Sequence, residues 1–265
     1  MTQGRVRGDR VPVVCGRNVM TSEPSEPASA KTILHDGWGE LILSRPHRRN
    51  ALTGPMASEL RAGLASLLSN GVKAVVLRGD GGAFCSGLDV DAFASEPPPA
   101  WRADWGHQWR ALHRDLYSCP AVIIGALERF AINGGASLAL ACDLLVAGES
   151  AFLMVAEATL GMHAPMNVAW LRLRTSESVA AQLLFLGRRV MAADLQRLGL
   201  VHSIVADAET AEAACAMGAT LAGYPGDGLA TIKAALRHRP LDGADMFDLV
   251  QAADGEATPP TRINP

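Results

Sequence analysis

Hydrophobic residues along this chain occur in two alternating patterns, as short continuous runs and as runs with helical spacing. Continuous apolar runs predict buried strands, and they lie at residues 41–43, 72–77, 121–126, 144–147 and 201–205. Apolar residues at helical spacing predict helices that begin near Thr53 and Gly134 and helices at residues 107–117, 177–186 and 192–199. Strands that alternate with helices in this way predict an α/β fold.

The 265 residues of the chain fit either one large domain or one domain with a small appendage. Residues 1–30 contain a stretch rich in Pro, Ser and Glu without hydrophobic periodicity, so we expect a disordered extension there. Residues 31–206 contain the alternating strands and helices and form the expected core. Residues 207–265 are expected to form a helical C-terminal region that ends in a loose tail.

Charge and cysteine content narrow the classes of function. A net charge of −3 gives no support for nucleic acid as a partner. No apolar run approaches the roughly 18 residues of a membrane span, so no membrane association is expected. The five cysteines are scattered and lack the spacing of metal ligands. Such cysteines favour reduced thiols in the cytoplasm and no metal site.

Two glycine turns, each placed after a predicted buried strand, carry the strongest chemical signal. One lies at residues 84–89, and the other lies at residues 133–137, where a helix begins. Backbone amides at the start of a helix are available to bind negative charge. The two turns could together hold one oxyanion, which would indicate an enzyme. Alternatively, Gly87 and Gly134 only permit tight turns.

Five motifs in a single order resemble those of the crotonase superfamily, the enoyl-CoA hydratase/isomerase family. The motifs are found at residues 45–52, 83–89, 133–143, 157–165 and 187–201. The resemblance implies a spiral of ββα units and a C-terminal helical region used in oligomerisation, with homotrimers or homohexamers as the usual assembly. It also implies an acyl-CoA thioester substrate, in which coenzyme A is part of the substrate, with no separate cofactor and no metal.

The resemblance also implies roles for individual residues. The amides of Leu88 and Gly134 would form an oxyanion hole, because charge develops on the thioester oxygen when a neighbouring proton moves. Glu157 would be the catalytic base. His163 lies near the expected pocket and is either a catalytic imidazole or part of the pocket wall. The residues expected at the substrate or its CoA portion are Arg49, Ala51, Phe84, Ser86, Gly87, Gly135 and His163.

The chain departs from typical hydratases of the family at one position. Those enzymes carry two glutamates, and here Ser137 stands at the first position while Glu157 stands at the second. Hydration suits two carboxylates, whereas a 1,3-proton shift needs only one. The leading hypothesis is therefore a Δ3,Δ2-enoyl-CoA isomerase-like reaction in which Glu157 takes and returns the proton. Ser137 either takes part by holding water or substrate, or it satisfies local backbone groups.

Two other functions stay open from the sequence. One is a hydratase, or another crotonase reaction, that uses one glutamate and a water held elsewhere. The other is a non-catalytic acyl-CoA-binding protein that kept the pocket and lost the chemistry. Four tryptophans have two possible roles: they line an acyl tunnel, or they pack in the core or in a lid. They are Trp101, Trp105, Trp109 and Trp170.

Overall fold

The computed structural model describes Met1 and residues 28–237, so most of the expected extension and the end of the chain lie outside the described residues. The strands are β1 (Ala30–Leu34), β2 (Trp38–Leu43), β3 (Ala74–Gly79), β4 (Val122–Leu127), β5 (Phe130–Ile132), β6 (Leu144–Gly148), β7 (Phe152–Met154), β8 (Val190–Met191) and β9 (Ser203–Val205). The helices are α1 (Gly54–Ser69), α2 (Val90–Phe93), α3 (Trp105–Ser118), α4 (Gly134–Ala141), α5 (Pro165–Arg174), α6 (Glu177–Leu186), α7 (Ala192–Arg197), α8 (Thr210–Ala222) and α9 (Gly228–Arg237). None of these helices has the length and apolar character needed to cross a membrane.

A six-stranded sheet with the order β1-β2-β3-β4-β6-β9 forms the centre of the fold. β1 and β2 are antiparallel, and each later pair is parallel. Strand β3 shows why the apolar runs are continuous: Val75 and Leu77 pack in the core on one face, whereas Ala74 and Val76 pack on the other. Helix α1 covers the first face and α3 packs against α1, whereas α8 covers the second face.

A second sheet, of three short strands in the order β5-β7-β8, lies next to the candidate site. β5 and β7 are parallel, and β7 and β8 are antiparallel. Isolated bridges join Leu52 to Leu88 and Cys85 to Ala131. The first glycine turn therefore runs beside β5, whose end leads into the second glycine turn.

The longer elements agree with the sequence pattern, and several short ones differ from it. Helix α6 has the predicted bounds, and Thr53 caps α1 by accepting a hydrogen bond from the Met56 amide at 3.4 Å. The pattern does not predict β1, β5, β7 or β8, because strands of two to five residues show little periodicity. Helix α5 lies between the predicted strand at residues 144–147 and the predicted helix at residues 177–186, where the pattern predicts no helix. Pro165 is its first residue, a position at which proline is favoured.

A buried cluster of charges holds α9 against the sheet. Asp143 accepts hydrogen bonds from Lys233 and Arg237 at 2.7 Å each, and Lys233 also donates to Ala121 O at 2.7 Å. Burial acts to raise the pKa of Asp143, but Lys233, the Ile123 amide and Arg237 hold that pKa below its usual value. Since Lys233 is buried as well, loss of the carboxylate would leave an unpaired cation in the interior.

Asp143→Ala is expected to lower the free energy of unfolding by about 3 kcal/mol or more, because a buried cation loses its partner. The matched control is Asp194→Ala, which removes an exposed ion pair with Arg197 and should cost less than about 1 kcal/mol. Urea unfolding of both variants and the parent protein measures the two losses. Equal losses would contradict the structural role of Asp143.

Candidate active site

Backbone hydrogen bonds join three loops, which follow β2, β3 and β5. The Leu52 amide donates to Gly87 O at 2.8 Å, which ties the loop after β2 to the first glycine turn. The Ile132 amide donates to Cys85 O at 3.0 Å, which ties the same turn to the end of β5. The candidate site is therefore built on loops that are fixed to one another through main-chain bonds.

The two glycine turns approach each other too closely for side chains. Gly87 has a φ of +92°, and a Cβ on it would lie 2.9 Å from Ile132 O and 3.7 Å from Gly134 N. A Cβ on Gly135 would lie 2.5 Å from Cys85 O. Both close approaches are to main-chain oxygens, which cannot turn aside as the tip of a flexible side chain can. Glycine is thus required at both positions.

The amides of Leu88 and Gly134 are donors that these turns leave unused. Within residues 28–237, neither amide donates a hydrogen bond to a protein acceptor. Gly134 is the first residue of α4, so its amide also lies at the positive end of a helix. Two such donors in adjacent turns can stabilise negative charge that develops on a bound oxygen atom.

Glu157 is a carboxylate at the start of a 3₁₀ turn that follows β7. Burial raises its pKa to about 7, against the opposing effects of its own backbone amide and of Asn167. Asn167 Nδ2 donates to Glu157 Oε1 at 3.1 Å, whereas Oε2 is buried without a hydrogen-bond partner among the described residues. Glu157 therefore has one oriented oxygen and one oxygen that can take up a proton near neutral pH.

Asn133 ties the segment before Glu157 to the turn at Gly134. Its side-chain oxygen accepts a hydrogen bond from the Ala156 amide at 2.8 Å, and its own amide donates to Met154 O at 2.8 Å. Its backbone has a φ of 50° and a ψ of −111°, which is uncommon for a residue with a side chain. Direct hydrogen bonds thus connect the carboxylate segment with the segment that carries the free amide.

Ser137 lies in a closed hydrogen-bond network inside the protein. Its buried Oγ donates to Gly134 O at 2.7 Å and lies 3.2 Å from His113 Nε2. Trp170 Nε1 donates to His113 Nδ1 at 2.8 Å, so the neutral imidazole carries its proton on Nε2 and donates to Ser137. Burial lowers the pKa of His113 to about 3, which keeps the ring neutral. This arrangement favours the structural role for Ser137 over the catalytic one.

The tryptophans divide between the core and the edge of the site. Trp101, Trp105 and Trp109 form a row with ring-centroid distances of 5.8 and 5.2 Å. At the inner end of the row, Trp109 Cζ2 lies 3.5 Å from the position that a Cβ on Gly134 would take. Trp170 is fully buried. Trp170 thus packs in the core, whereas Trp109 borders the turn that carries the free amide.

The residues expected near CoA differ in what they offer to a ligand. Arg49 is exposed, and its carbonyl accepts a hydrogen bond from the Ser86 amide at 3.1 Å, so these two residues are adjacent. Ala51 and Phe84 are buried and support the loops from inside. His163 is exposed on the segment that follows the Glu157 turn. Of this set, Arg49 presents a charged side chain at the glycine turns.

A match to a protein-family model covers most of the chain. The model described as enoyl-CoA hydratase/isomerase matches residues 35–246. The chain belongs to the enoyl-CoA hydratase/isomerase family. Membership of the crotonase superfamily and the α/β crotonase fold are thereby confirmed.

Individual relatives of this family resemble the chain in sequence and in structure. A bovine protein named enoyl-CoA hydratase domain-containing protein 2, mitochondrial, is 37% identical over 187 residues, which are 68% of this chain and 62% of the relative. The mouse protein of the same name is 33% identical, with 76% of this chain and 68% of that protein covered. The chain thus spans less than two thirds of the bovine relative.

Solved structures of similar proteins cover more of the chain. An enoyl-CoA hydratase/isomerase from Xanthobacter autotrophicus Py2 has a TM-score of 0.75 at 27% identity, with 85% of this chain and 84% of that chain covered. A Thermobifida fusca protein solved in complex with CoA has a TM-score of 0.71 at 29% identity, with 85% of this chain and 92% of that chain covered.

Two buried polar residues that the sequence pattern does not single out contact the family-site positions. His113 bonds to Ser137, and Asn167 bonds to Glu157. Each is a polar residue on a helix whose neighbouring positions are apolar and buried, as Leu116 is beside His113. Because a polar residue on a buried helix face needs a hydrogen-bond partner, its presence among apolar residues in the sequence could have indicated both positions.

His113→Gln is expected to change how stability depends on pH. Folded His113 stays neutral down to a pKa of about 3, whereas the unfolded chain protonates it below about 6.5. Below about pH 6.5 the unfolded chain binds a proton at His113 that the folded protein does not bind. The free energy of unfolding of the parent protein therefore falls as the pH drops towards 3, by up to about 1.4 kcal/mol per pH unit. In urea unfolding between about pH 7 and pH 4, the stability difference between the parent and the variant should shrink on acidification. A constant difference would show that His113 is not held neutral.

Proposed function

We propose that this protein is an acyl-CoA enzyme that catalyses a Δ3,Δ2-enoyl-CoA isomerase-like proton shift. The observation that carries the proposal is a carboxylate oxygen of Glu157 that has no hydrogen-bond partner among the described residues. It lies in a site where the amides of Leu88 and Gly134 likewise donate to no acceptor among residues 28–237. A proton shift between two carbons of one substrate needs one base. Ser137, at the first glutamate position of the hydratases, is engaged in protein hydrogen bonds.

In the proposed reaction, Glu157 Oε2 takes a proton from C2 of a 3-enoyl thioester. The electron pair of the broken C–H bond forms the enolate, whose oxygen accepts hydrogen bonds from Leu88 and Gly134. The carbonyl re-forms when C4 takes the proton back from Glu157, which leaves the double bond between C2 and C3. Each oxyanion donor lowers the barrier by about 3 kcal/mol. A pKa of about 7 suits a group that both accepts and returns a proton near neutral pH.

The proposed ligand is an acyl-CoA thioester, with no separate cofactor. The Thermobifida fusca relative solved in complex with CoA supports this ligand class. Arg49 is the proposed phosphate contact beside Ser86, whereas Arg45 and Arg48 form ion pairs with Asp89. The other proposed substrate contacts are the side chain of His163 and the backbone of Ala51, Phe84, Gly87 and Gly135.

A second candidate reaction is hydration of an enoyl-CoA. The names of the bovine and mouse relatives favour it. The side chain of Asn167, which contacts Glu157, also favours hydration, because its Oδ1 is a buried acceptor without a partner in the described chain. A water held by Asn167 Oδ1 and Glu157 could take the place of the second glutamate.

Glu157→Gln is expected to slow isomerisation of trans-3-hexenoyl-CoA by about 10²–10⁴-fold, because the amide cannot accept the proton. Calorimetry should show that acyl-CoA still binds. Glu177→Gln, at the exposed start of α6, is the matched control and should keep the parent activity. Full activity of Glu157→Gln would exclude this residue as the base.

Assays of the parent protein with both substrates decide between the candidate functions. Faster hydration of crotonyl-CoA than isomerisation of the 3-enoyl substrate would identify a hydratase. Tight binding of acyl-CoA without turnover of either substrate would identify a non-catalytic binding protein.

The pH dependence of the reaction follows from the pKa of Glu157. Because a general base must be ionised, kcat/KM should rise with pH through about 7 and then become constant. Steady-state kinetics across this range with a 3-enoyl-CoA measures the midpoint. A midpoint near the ordinary glutamate value of about 4.3 would contradict the assignment of a buried carboxylate as the base.

We propose that the enzyme is a homotrimer or homohexamer in the cytoplasm. Association with further copies of this chain is supported by exposed apolar side chains on α6 and α9. These side chains are Phe185, Leu186, Ile232 and Leu236. A monomer in light scattering would exclude the assembly.

Cell fractionation tests the proposed cytoplasmic location, since the names of the mammalian relatives contain the word mitochondrial.

A further inference from the structure

We propose that Asn167 is a positioning residue that holds the base at a fixed distance from the oxyanion donors, an inference that rests on the proposed function. One amide nitrogen makes both contacts. Asn167 Nδ2 donates to Asn133 O at 3.0 Å and to Glu157 Oε1 at 3.1 Å. Asn133 immediately precedes Gly134, so a single side chain bridges the two parts of the site.

Asn167 has little freedom to move. It lies in the first turn of α5, which begins at Pro165, and only 2% of its surface is exposed. Met166 and Trp170 on the same helix are buried as well. Helix α5 packs against α4, the helix that begins at Gly134. The bridging amide and one oxyanion donor therefore belong to the same packed pair of helices.

The other end of the bridge is also fixed. The Asn133 side chain accepts a hydrogen bond from the amide of Ala156, the residue before Glu157. Together with the bond from Asn167, this contact holds Asn133 at a φ of 50°, a conformation that costs energy for a residue other than glycine. A shift of Glu157 relative to Gly134 would have to distort one of these bonds.

The bridge also selects the carboxylate oxygen that reacts. Glu157 Oε1 is occupied by the Asn167 amide, while Oε2 has no partner among the described residues. The same hydrogen bond favours the ionised carboxylate, so it opposes the rise in pKa that burial causes. Loss of the bond would let the side chain of Glu157 rotate and would raise its pKa further. A residue that only fills space would have neither effect.

The position needs hydrogen-bond donors, because both of its partners are acceptors. Asparagine supplies two N–H groups from one nitrogen. Aspartate has nearly the same size, but it supplies no donor when ionised and places a second negative charge beside Glu157. Serine keeps one donor on a shorter side chain. Asn167→Asp and Asn167→Ser therefore separate the effect of the donor from that of size.

The experiment measures kcat, KM and their pH dependence with trans-3-hexenoyl-CoA. Asn167→Asp is expected to lower kcat by about 10²-fold, with KM changed by less than about threefold. The rising limb of kcat/KM should move up by about one pH unit or more, because the ionised base loses a hydrogen bond and faces a second carboxylate. Asn167→Ser should give smaller changes in the same direction.

The control is Thr210→Val, which removes a buried hydrogen bond to Asp207 O at the start of α8, on the opposite face of the main sheet. It should lower stability and leave both kcat and the pH limb unchanged. If both Asn167 variants have an unmoved pH limb and a kcat within about threefold of the parent, the positioning role is overturned.

Infrared titration of the Glu157 carboxyl group gives a second measurement that needs no turnover. Glu157→Gln assigns the band, and its pKa should be higher in Asn167→Ser than in the parent. If the parent turns over no enoyl-CoA, the proposed function fails, and this titration decides the role of Asn167 by itself. An unchanged pKa of Glu157 would overturn that role. The serine variant decides the question as well if Asn167→Asp does not fold.

Discussion

The close approach of two backbone turns sets the geometry on which the rest of the site depends. A Cβ on Gly87 or Gly135 would come within 2.9 or 2.5 Å of a carbonyl oxygen in the opposite segment, so neither position accepts a side chain. The approach leaves the amides of Leu88 and Gly134 in adjacent turns without a protein acceptor in the described chain. The parallel pairing of β3 with β4 brings the segments that follow these strands together. The central sheet therefore places the two turns side by side, and the glycines allow their close approach.

Burial acts on several carboxylates in this protein, and their partners decide the direction of the pKa change. Asp89 is paired with two arginines, and Asp143 with a lysine and an arginine; both have a lowered pKa although burial opposes it. Glu157 receives a hydrogen bond from a neutral amide instead, and burial raises its pKa to about 7. Asp89 and Asp143 are thus held in the ionised form by their cationic partners, whereas burial brings the pKa of Glu157 to about 7.

The length of an element decides how well its sequence predicts it. Helix α1 has a capping residue at Thr53 and apolar residues at helical spacing over 16 residues, so its start and its buried face can be read directly. Strands β5 and β7 have three residues each, which is too short for alternation of apolar and polar positions to reveal them. They are held by pairing between distant segments, in which Phe130 of β5 lies opposite Phe152 of β7. Helix α5 is difficult for another reason, because Asn167 interrupts its apolar face and arginines occupy its last turn.

The sequence by itself determined the family motifs, the α/β class and the candidate groups of the site, whose catalytic roles stay predictions. Glycine turns and periodic apolar runs are local features, so spacing along the chain is enough to find them. Only the tertiary structure decided that Ser137 is engaged by His113 and that Asn167 contacts Glu157. These pairs lie 24 and 10 positions apart in the chain. The partner of a buried polar group is set by which segments pack together, and no spacing in the sequence contains that information.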